Sequence, residues 1–570
     1  MAAIDPITRE VIQNRLITVV REMSLTLQRA AYSPIIHEVK DYSSVLLRPN
    51  ADLVAESEGI PSFLGAMPAT LAPVLAKYGL DAIGEGDIFV SNDPYSANGT
   101  HKNDINVLSP IFYDGDLVYF SVTKAHWSDI GGKDPGSWSP DANSTFQEGV
   151  SIPPIRLYRA GVVNDEALAL ILANTREPED NYGDLMAQIA AARVAERRMH
   201  EILPRYGRDA VEACVDSMFA YVEKRARAEI LALPDGTYEA SETVESDGIT
   251  DDPVHVTARV IVAGSDVTCD FTGHEAQRLA ASGNINGVCL EAMCRVALKC
   301  LLAPMLPANQ GLYRPISVIS TPGTVTGPVH PAPCTTWGDM GYAVYEAIFA
   351  ALAPVLPKRV VAGLFGYGQT MAIVGRRGAA GAPYVHFMPY SGGWGGRTGK
   401  DGLSATCPLL NGDNFNIPCE VIEHDFPLRV ERYELIPDSA GAGKQRGGLG
   451  VRTDYRVLEG SAQVFASLNR CAIPPRGLFG GSPAALNFLL LDRPDGAVEN
   501  HPKAAGVVVP EGGLISHQTA GGGGYGDPHE RDPELIRADV LNGYISPGAA
   551  DESYGWDQRG AADPQAPGNQ

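Results

Sequence analysis

Apolar residues recur at helical spacing from Ile12 through Leu16, Val19, Val20, Met23 and Leu27, with Arg9, Glu10, Arg15, Arg21 and Glu22 between them. This spacing predicts an amphipathic helix of about five turns, with Thr8 as its cap and its end near Ser33-Pro34. The period then shortens. Val45 to Leu47 and Asp52 to Ala55 read as strands on either side of a turn, and Gly84 to Val90 delivers a further strand into Asn92-Asp93-Pro94-Tyr95. Val107 to Phe112 and Leu117 to Val122 are apolar and partly β-branched, and the turn formers Tyr113-Asp114-Gly115-Asp116 join them into a hairpin. A long helix follows from Gly183 to about Leu203, and another from about Arg208 to Leu233.

At Pro234-Asp235-Gly236-Thr237 the sequence becomes β-rich, with alternation through Val254 to Val262 and Asp266 to Phe271 and a helical stretch from Gly287 to Leu302. From Leu428 short strands alternate with glycine turns, as in a barrel or sandwich. Pro533 to Asn542 reads as a helix, and from Pro547 the polar, proline-rich composition reads as an unordered tail. The predicted class is α+β and multidomain: an N-terminal mixed α/β metal-binding domain over 1–233, a central β-rich domain with inserted helices over 234–427, a C-terminal β-rich domain over 428–546 and a disordered tail over 547–570.

The chain of 570 residues is too long for one core, and its length is that of roughly three or four domains. A formal net charge of -23 argues against nucleic acid or an anionic membrane as partner, because phosphate binding needs concentrated Lys and Arg. Asp5 and Glu10 stand where a signal peptide would carry a basic then apolar run. Nine cysteines without a CxxC pair read as small buried apolar residues, Cys289, Cys294 and Cys300 on one helix among them. That usage fits a reducing cytoplasm.

The hairpin concentrates the candidate chemistry. Folding it brings the residues before its first strand close to those after its second, so that His101 and Asp104 face His126 and Asp129 across one end of the sheet. Two imidazoles and one or two carboxylates suit zinc, manganese or iron, and Gly99 and Gly131-Gly132 let backbone come close to a bound ion. Asp41, taken alone, reads as a turn carboxylate at the mouth of a strand, and Glu148 as a solvated helix or turn carboxylate. The glycine-rich runs do not match the phosphate-loop pattern GxxxxGK[ST]: Gly395-Gly396-Arg397-Thr398-Gly399-Lys400 lacks the glycine five residues before Gly399, Gly441-Ala442-Gly443-Lys444 fails likewise, and Gly521 to Gly526 has no lysine. There is no GxSxG elbow.

Eleven short motifs occur in order along the chain: Asp5-Pro6-Ile7-Thr8, Asp41-Tyr42-Ser43, Asn92-Asp93-Pro94-Tyr95, Thr100-His101-x-x-Asp104, Ala125-His126-x-x-Asp129-Ile130-Gly131-Gly132, Gln147-Glu148-Gly149, Gly183-Asp184-Leu185-x-Ala187-Gln188, Asp270-Phe271-Thr272-Gly273, Asn309-x-Gly311-x-x-Arg314-Pro315, Pro331-Ala332-Pro333 and Gly523-Gly524-Tyr525-Gly526-Asp527-Pro528. The set resembles the B-subunit family of ATP-dependent hydantoinases and 5-oxoprolinases, nearly end to end. The resemblance implies a small-molecule cyclic amide as substrate and a hydantoinase A-type, actin-like ATPase partner that binds ATP and phosphorylates the substrate oxygen, hence a hetero-oligomer. It also implies a divalent metal, zinc first with manganese or iron as alternatives, held by Asp41, His101, Asp104 and His126. Asp129 then backs a ligand imidazole, and Asp129 or Glu148 takes the proton of the attacking water. The same family of subunits serves acetone and acetophenone carboxylases. Chain length favours hydrolysis, whereas His101-Lys102-Asn103-Asp104 is closer to the carboxylase form.

Overall fold

In the computed structural model, residues 5–367, 369–377, 381–412 and 414–556 are described. The first helix, Pro6–Ala30, is longer than the periodicity predicts and starts earlier: Asp5, not Thr8, is the cap, its Oδ2 accepting the Thr8 N–H at 2.9 Å. Pro6 occupies the first helical position, where its missing N–H costs nothing.

The hairpin forms as expected, with strands Asp104–Tyr113 and Asp116–His126 longer than the apolar runs that announced it. It is the centre of a seven-stranded sheet whose order is Leu53–Glu56, Tyr42–Leu47, Asp116–His126, Asp104–Tyr113, Ile88–Ser91, Ile155–Arg159, Val162–Val163. Both faces of its middle strands are covered. Leu46, Ile111, Tyr119 and Ala125 pack with the first helix and with Pro178–Tyr206 and Arg208–Leu231, while Val45, Leu108, Phe120 and Val122 pack on Phe63, Met67, Leu71 and Val74. A strand buried on both faces loses polar alternation and reads as an apolar run.

Strands Gly236–Val244, Val254–Ala263, Asp266–Phe271 and Ile316–Ser320 make a second sheet, and the helix Gly287–Leu302 falls where it was predicted. The helix Gly338–Leu352 carries no sequence signal, because nearly every residue of it is buried and a helix apolar all round has no amphipathic period.

The boundary expected after 427 does not separate two cores. Met371–Arg376 and Pro383–Met388 share one sheet with Ser461–Ser467 and Lys503–Pro510, and Met371–Arg376 pairs directly with Ser461–Ser467 across the expected boundary. A fourth sheet is built from Leu428–Leu435, Val451–Val457, Leu514–Gln518, Phe488–Asp492 and Val498–Asn500. The tail expected to be unordered carries a helix, Pro547–Tyr554, because Ala550 and Tyr554 pack against Ile536, Ile545 and Ala442; 557–570 lie outside the described residues. Of the three cysteines on the helix Gly287–Leu302, Cys289 and Cys294 are buried as expected and Cys300 is exposed. No helix among the described residues is long and apolar enough to cross a membrane.

Candidate metal centre

The register of the central sheet assembles the site. Asp104 begins one hairpin strand and His126 ends the other, and the two are direct partners across the pair. His101 stands just before the first strand, where its carbonyl accepts the Asp104 N–H at 3.1 Å. Tyr42 pairs with Ala125, so Asp41 is carried to the same end, and its carbonyl accepts the His126 N–H at 3.0 Å. Three chain segments thus deliver four candidate ligands to one edge of the sheet.

Both imidazoles converge on one carboxylate oxygen: Asp104 Oδ1 lies 2.9 Å from His101 Nε2 and 3.3 Å from His126 Nδ1. The ring centroids are 5.0 Å apart. Donor atoms of His101, Asp104 and His126 all lie within 4.8 Å of one another. Asp104 Oδ2 accepts from the Thr100 hydroxyl, which in turn takes a hydrogen bond from buried Lys124 at 3.2 Å. Burial alone would raise the Asp104 carboxyl, but the two imidazoles hold it well below the usual carboxylate range. Asp41 lines the same cavity without belonging to the tight trio. Burial pushes its carboxyl up to about 7, against the pull of His126.

These residues fit a divalent metal on grounds independent of any resemblance. His101 Nδ1, His126 Nε2 and Asp41 Oδ1 are buried and have no hydrogen-bond partner among the described residues, an arrangement that costs free energy unless something else satisfies it. Imidazole nitrogen with carboxylate oxygen is also the donor set that zinc, manganese and iron share. The cavity they face is about 20 Å³, room for about one water. Its remaining walls, Trp138, Trp337, Tyr367, Phe387 and Leu410 among them, are largely apolar and come mostly from beyond residue 330. Trp138 lies in the loop that follows Gly131-Gly132; the later residues carry no local signal.

Asp129 does not back an imidazole. Its Oδ1 accepts the N–H groups of Gly131 at 2.8 Å and Arg176 at 3.0 Å, and its Oδ2 accepts from Gly136 at 2.9 Å and the Arg176 guanidinium at 3.0 Å. Beyond His126 the chain has left the strand, so the carboxylate three residues on turns away from the hairpin end and braces the loop that carries Trp138. Glu148 is not solvated. It is buried, its Oε1 accepts the Cys334 and Thr335 N–H groups at 2.6 Å each, and burial pushes its carboxyl up to about 7 while Lys102 and the two N–H groups pull the other way. Neither carboxylate lines the cavity.

Asn103, the residue that gave the first motif its carboxylase-like form, has a structural task. Its side-chain amide donates to the carbonyls of Trp127 at 3.0 Å and Gly136 at 3.2 Å, tying the two histidine segments together.

Comparison with known proteins agrees with this architecture. The family described as Hydantoinase B/oxoprolinase matches residues 5–528. Caprolactamase subunit beta of Pseudomonas jessenii is 32% identical over 579 residues, covering 97% of this chain and 96% of that one. The crystal structure of ATP-dependent caprolactamase from Pseudomonas jessenii superposes with a TM-score of 0.91 at 29% identity, over 98% of both chains. The nucleotide-free structure of acetone carboxylase superposes with a TM-score of 0.87 over 97% of this chain and 80% of that one, and at 21% identity the likeness is one of fold.

Proposed function

Because the chain belongs to the hydantoinase B/oxoprolinase family, we propose that it is the ring-opening subunit of an ATP-dependent cyclic amide hydrolase, acting with an ATPase subunit that phosphorylates the amide oxygen. The observation that carries this reading is the convergence of His101 and His126 on buried Asp104, with a nitrogen of each ring left unpartnered. The ATP dependence of the caprolactamase relative and the lack of a phosphate loop in this chain both support a partner that supplies the nucleotide site.

An unactivated amide resists attack by water, and transfer of a phosphoryl group to its oxygen leaves a far more electrophilic carbon. When bound, a divalent metal, zinc first, supplies Lewis acidity and makes water a stronger acid near neutral pH. His101, Asp104 and His126 would hold it, with Asp41 as a further ligand from the cavity wall. Asp104 fixes the orientation of both rings and stays ionised because they flank it. Trp138, Trp337 and Phe387 keep bulk water out, which strengthens each electrostatic contact inside. The register of Asp104 against His126 sets the spacing of the set before any ligand arrives.

The test is metal content by elemental analysis, together with ATP-dependent ring opening of a lactam or hydantoin in the presence of the partner. About one zinc, manganese or iron per chain is expected in the wild type, absent from His101→Ala and His126→Ala while circular dichroism is unchanged. A metal-free wild type that opens rings at full rate would sink the reading. Stoichiometric consumption of bicarbonate would move the chain to the carboxylases, to which its fold is also similar.

A further inference from the structure

Besides Asp41, His101 and His126, two wall residues of the cavity at the histidine cluster carry a buried polar atom with no hydrogen-bond partner among the described residues. They are Trp138, through its indole Nε1, and Asn411, through its amide Oδ1. Trp138 is 1% exposed and Asn411 7%. An indole nitrogen donates and never accepts, a carbonyl oxygen accepts and never donates, and either one left without a partner in the interior costs free energy.

Both residues are held by the segments that carry the candidate ligands. In the loop that ends at Trp138, the Gly136 carbonyl accepts from Asn103 at 3.2 Å and the Ser137 carbonyl from the Thr335 hydroxyl at 3.3 Å. The Trp138 ring stands nearly perpendicular to that of His101, with centroids 6.1 Å apart. Asn411 closes the short turn Leu409–Asn411, and its neighbour Leu410 also lines the cavity. Just beyond, Asn414 Nδ2 and the Phe415 N–H both donate to the Val39 carbonyl, at 3.1 and 3.0 Å. The turn is thereby tied to the stretch of chain that brings Asp41 to the cavity.

A space with room for about one water selects what can satisfy the two groups. Water accepts from an N–H and donates to a carbonyl oxygen at once, and a buried water is held by about two to four such partners. Neither an indole nor an amide titrates near neutral pH, so this pair orients a water without taking its proton.

Resting on the reading of the chain as a cyclic amide hydrolase, we infer that Trp138 and Asn411 hold one water in the cavity, and that this is the water that opens the ring. Trp138 Nε1–H donates to its oxygen, and Asn411 Oδ1 accepts one of its hydrogens. Its oxygen then bonds to the carbon that bears the phosphorylated oxygen, the carbon–nitrogen bond breaks, and both hydrogens end on the ring nitrogen, leaving an amine and an acyl phosphate. Trp138 and Asn411 are catalytic residues that act by orientation.

The water is read directly and without turnover. In a crystal structure of the full-length chain, one ordered water is expected within about 3.2 Å of both Trp138 Nε1 and Asn411 Oδ1, and it is expected to be lost in Asn411→Leu. An indole or amide turned out of the cavity, or no water between them, overturns the inference whatever the enzyme hydrolyses. The part in ring opening is read in kinetics. Asn411→Leu is expected to lower kcat about tenfold, the effect of one hydrogen bond, with KM, metal content and the urea midpoint unchanged. Asn411→Asp keeps an acceptor of the same shape and is expected to recover part of the loss. Should Asn411→Leu fail to fold, Trp138→Phe carries the test with the same expected fall. A lower urea midpoint with kcat intact makes Asn411 structural and overturns the assignment. A wild type that holds the water but opens no ring overturns the hydrolase reading and the attack while the water site stands, so the two failures are distinguishable.

Discussion

Asp104 and His126 stand opposite each other in register on neighbouring strands, and one oxygen of Asp104 receives both His126, at 3.3 Å, and His101, at 2.9 Å. The carboxylate orients the two rings at once. Asp104→Asn keeps the shape but removes the charge that aligns them, and is expected to weaken metal binding by at least about tenfold. Competition with a metal-sensitive dye measures this, and unaltered affinity would show that Asp104 plays no part in holding the ion.

Asp129 predicts the reverse. Its four hydrogen bonds hold the loop around Gly131 and Gly136 and the backbone of Arg176, so Asp129→Ala leaves several donors unpaired. A loss on the order of 3 kcal/mol of stability is expected in urea denaturation, with metal content intact. Loss of metal at unchanged stability would return Asp129 to the imidazole-backing role.

Glu148 makes stability depend on pH. Its folded value of about 7 lies above the ordinary 4.5, so the folded state holds the proton more tightly than the unfolded chain. The stability this contributes is complete below pH 4.5 and is lost as pH rises through about 7, a change on the order of 3 kcal/mol. Glu148→Gln keeps an acceptor for Cys334 and Thr335 and is expected to flatten that slope in denaturation curves at about pH 5.5 and about pH 8.5. A slope identical to wild type would assign the pH dependence to another group.

The acid limb has a different source. His386 and His517 are fully buried, the His386 ring has no hydrogen-bond partner among the described residues, and burial pushes the two down to about 4 and about 3, the second against a backbone contact with Gln369. Both lie below the ordinary 6.5, so each is neutral when folded. The stability that neutrality brings is complete above pH 6.5 and is lost as pH falls toward the folded values, on the order of 3 to 5 kcal/mol for each. His386 lies among Phe426 and Tyr455, with ring centroids at 5.0 and 5.5 Å, so His386→Phe is expected to fill the space and raise the thermal midpoint at about pH 5 relative to wild type. An unchanged acid limb would clear His386 of this role.

Where local pattern decides structure, the sequence was legible. The helix period of Ile12 to Leu27, the turn at Asp114-Gly115 and the apolar runs on either side of it specify the first helix and the hairpin, and the hairpin alone puts His101, Asp104 and His126 at one end. Asp41 came from the resemblance, and the sheet carries it to the same end as the histidines because Tyr42 pairs with Ala125. The direction of Asp129 was not legible. It depends on how the chain leaves the strand after His126 and on Arg176, nearly fifty residues away, reaching back to it.

By itself the sequence determined the first helix, the hairpin, the family, and the convergence of two histidines and a carboxylate, because side-chain alternation and turn chemistry act over a few residues. Only the tertiary structure decided that the boundary at 427 is spanned by one sheet, that Glu148 is buried against Cys334 and Thr335, and that Phe387 and Trp337 close the cavity. Those contacts join segments hundreds of residues apart. They form only when whole sheets pack, and nothing in the local pattern of Phe387 or Glu148 specifies which distant surface each will meet.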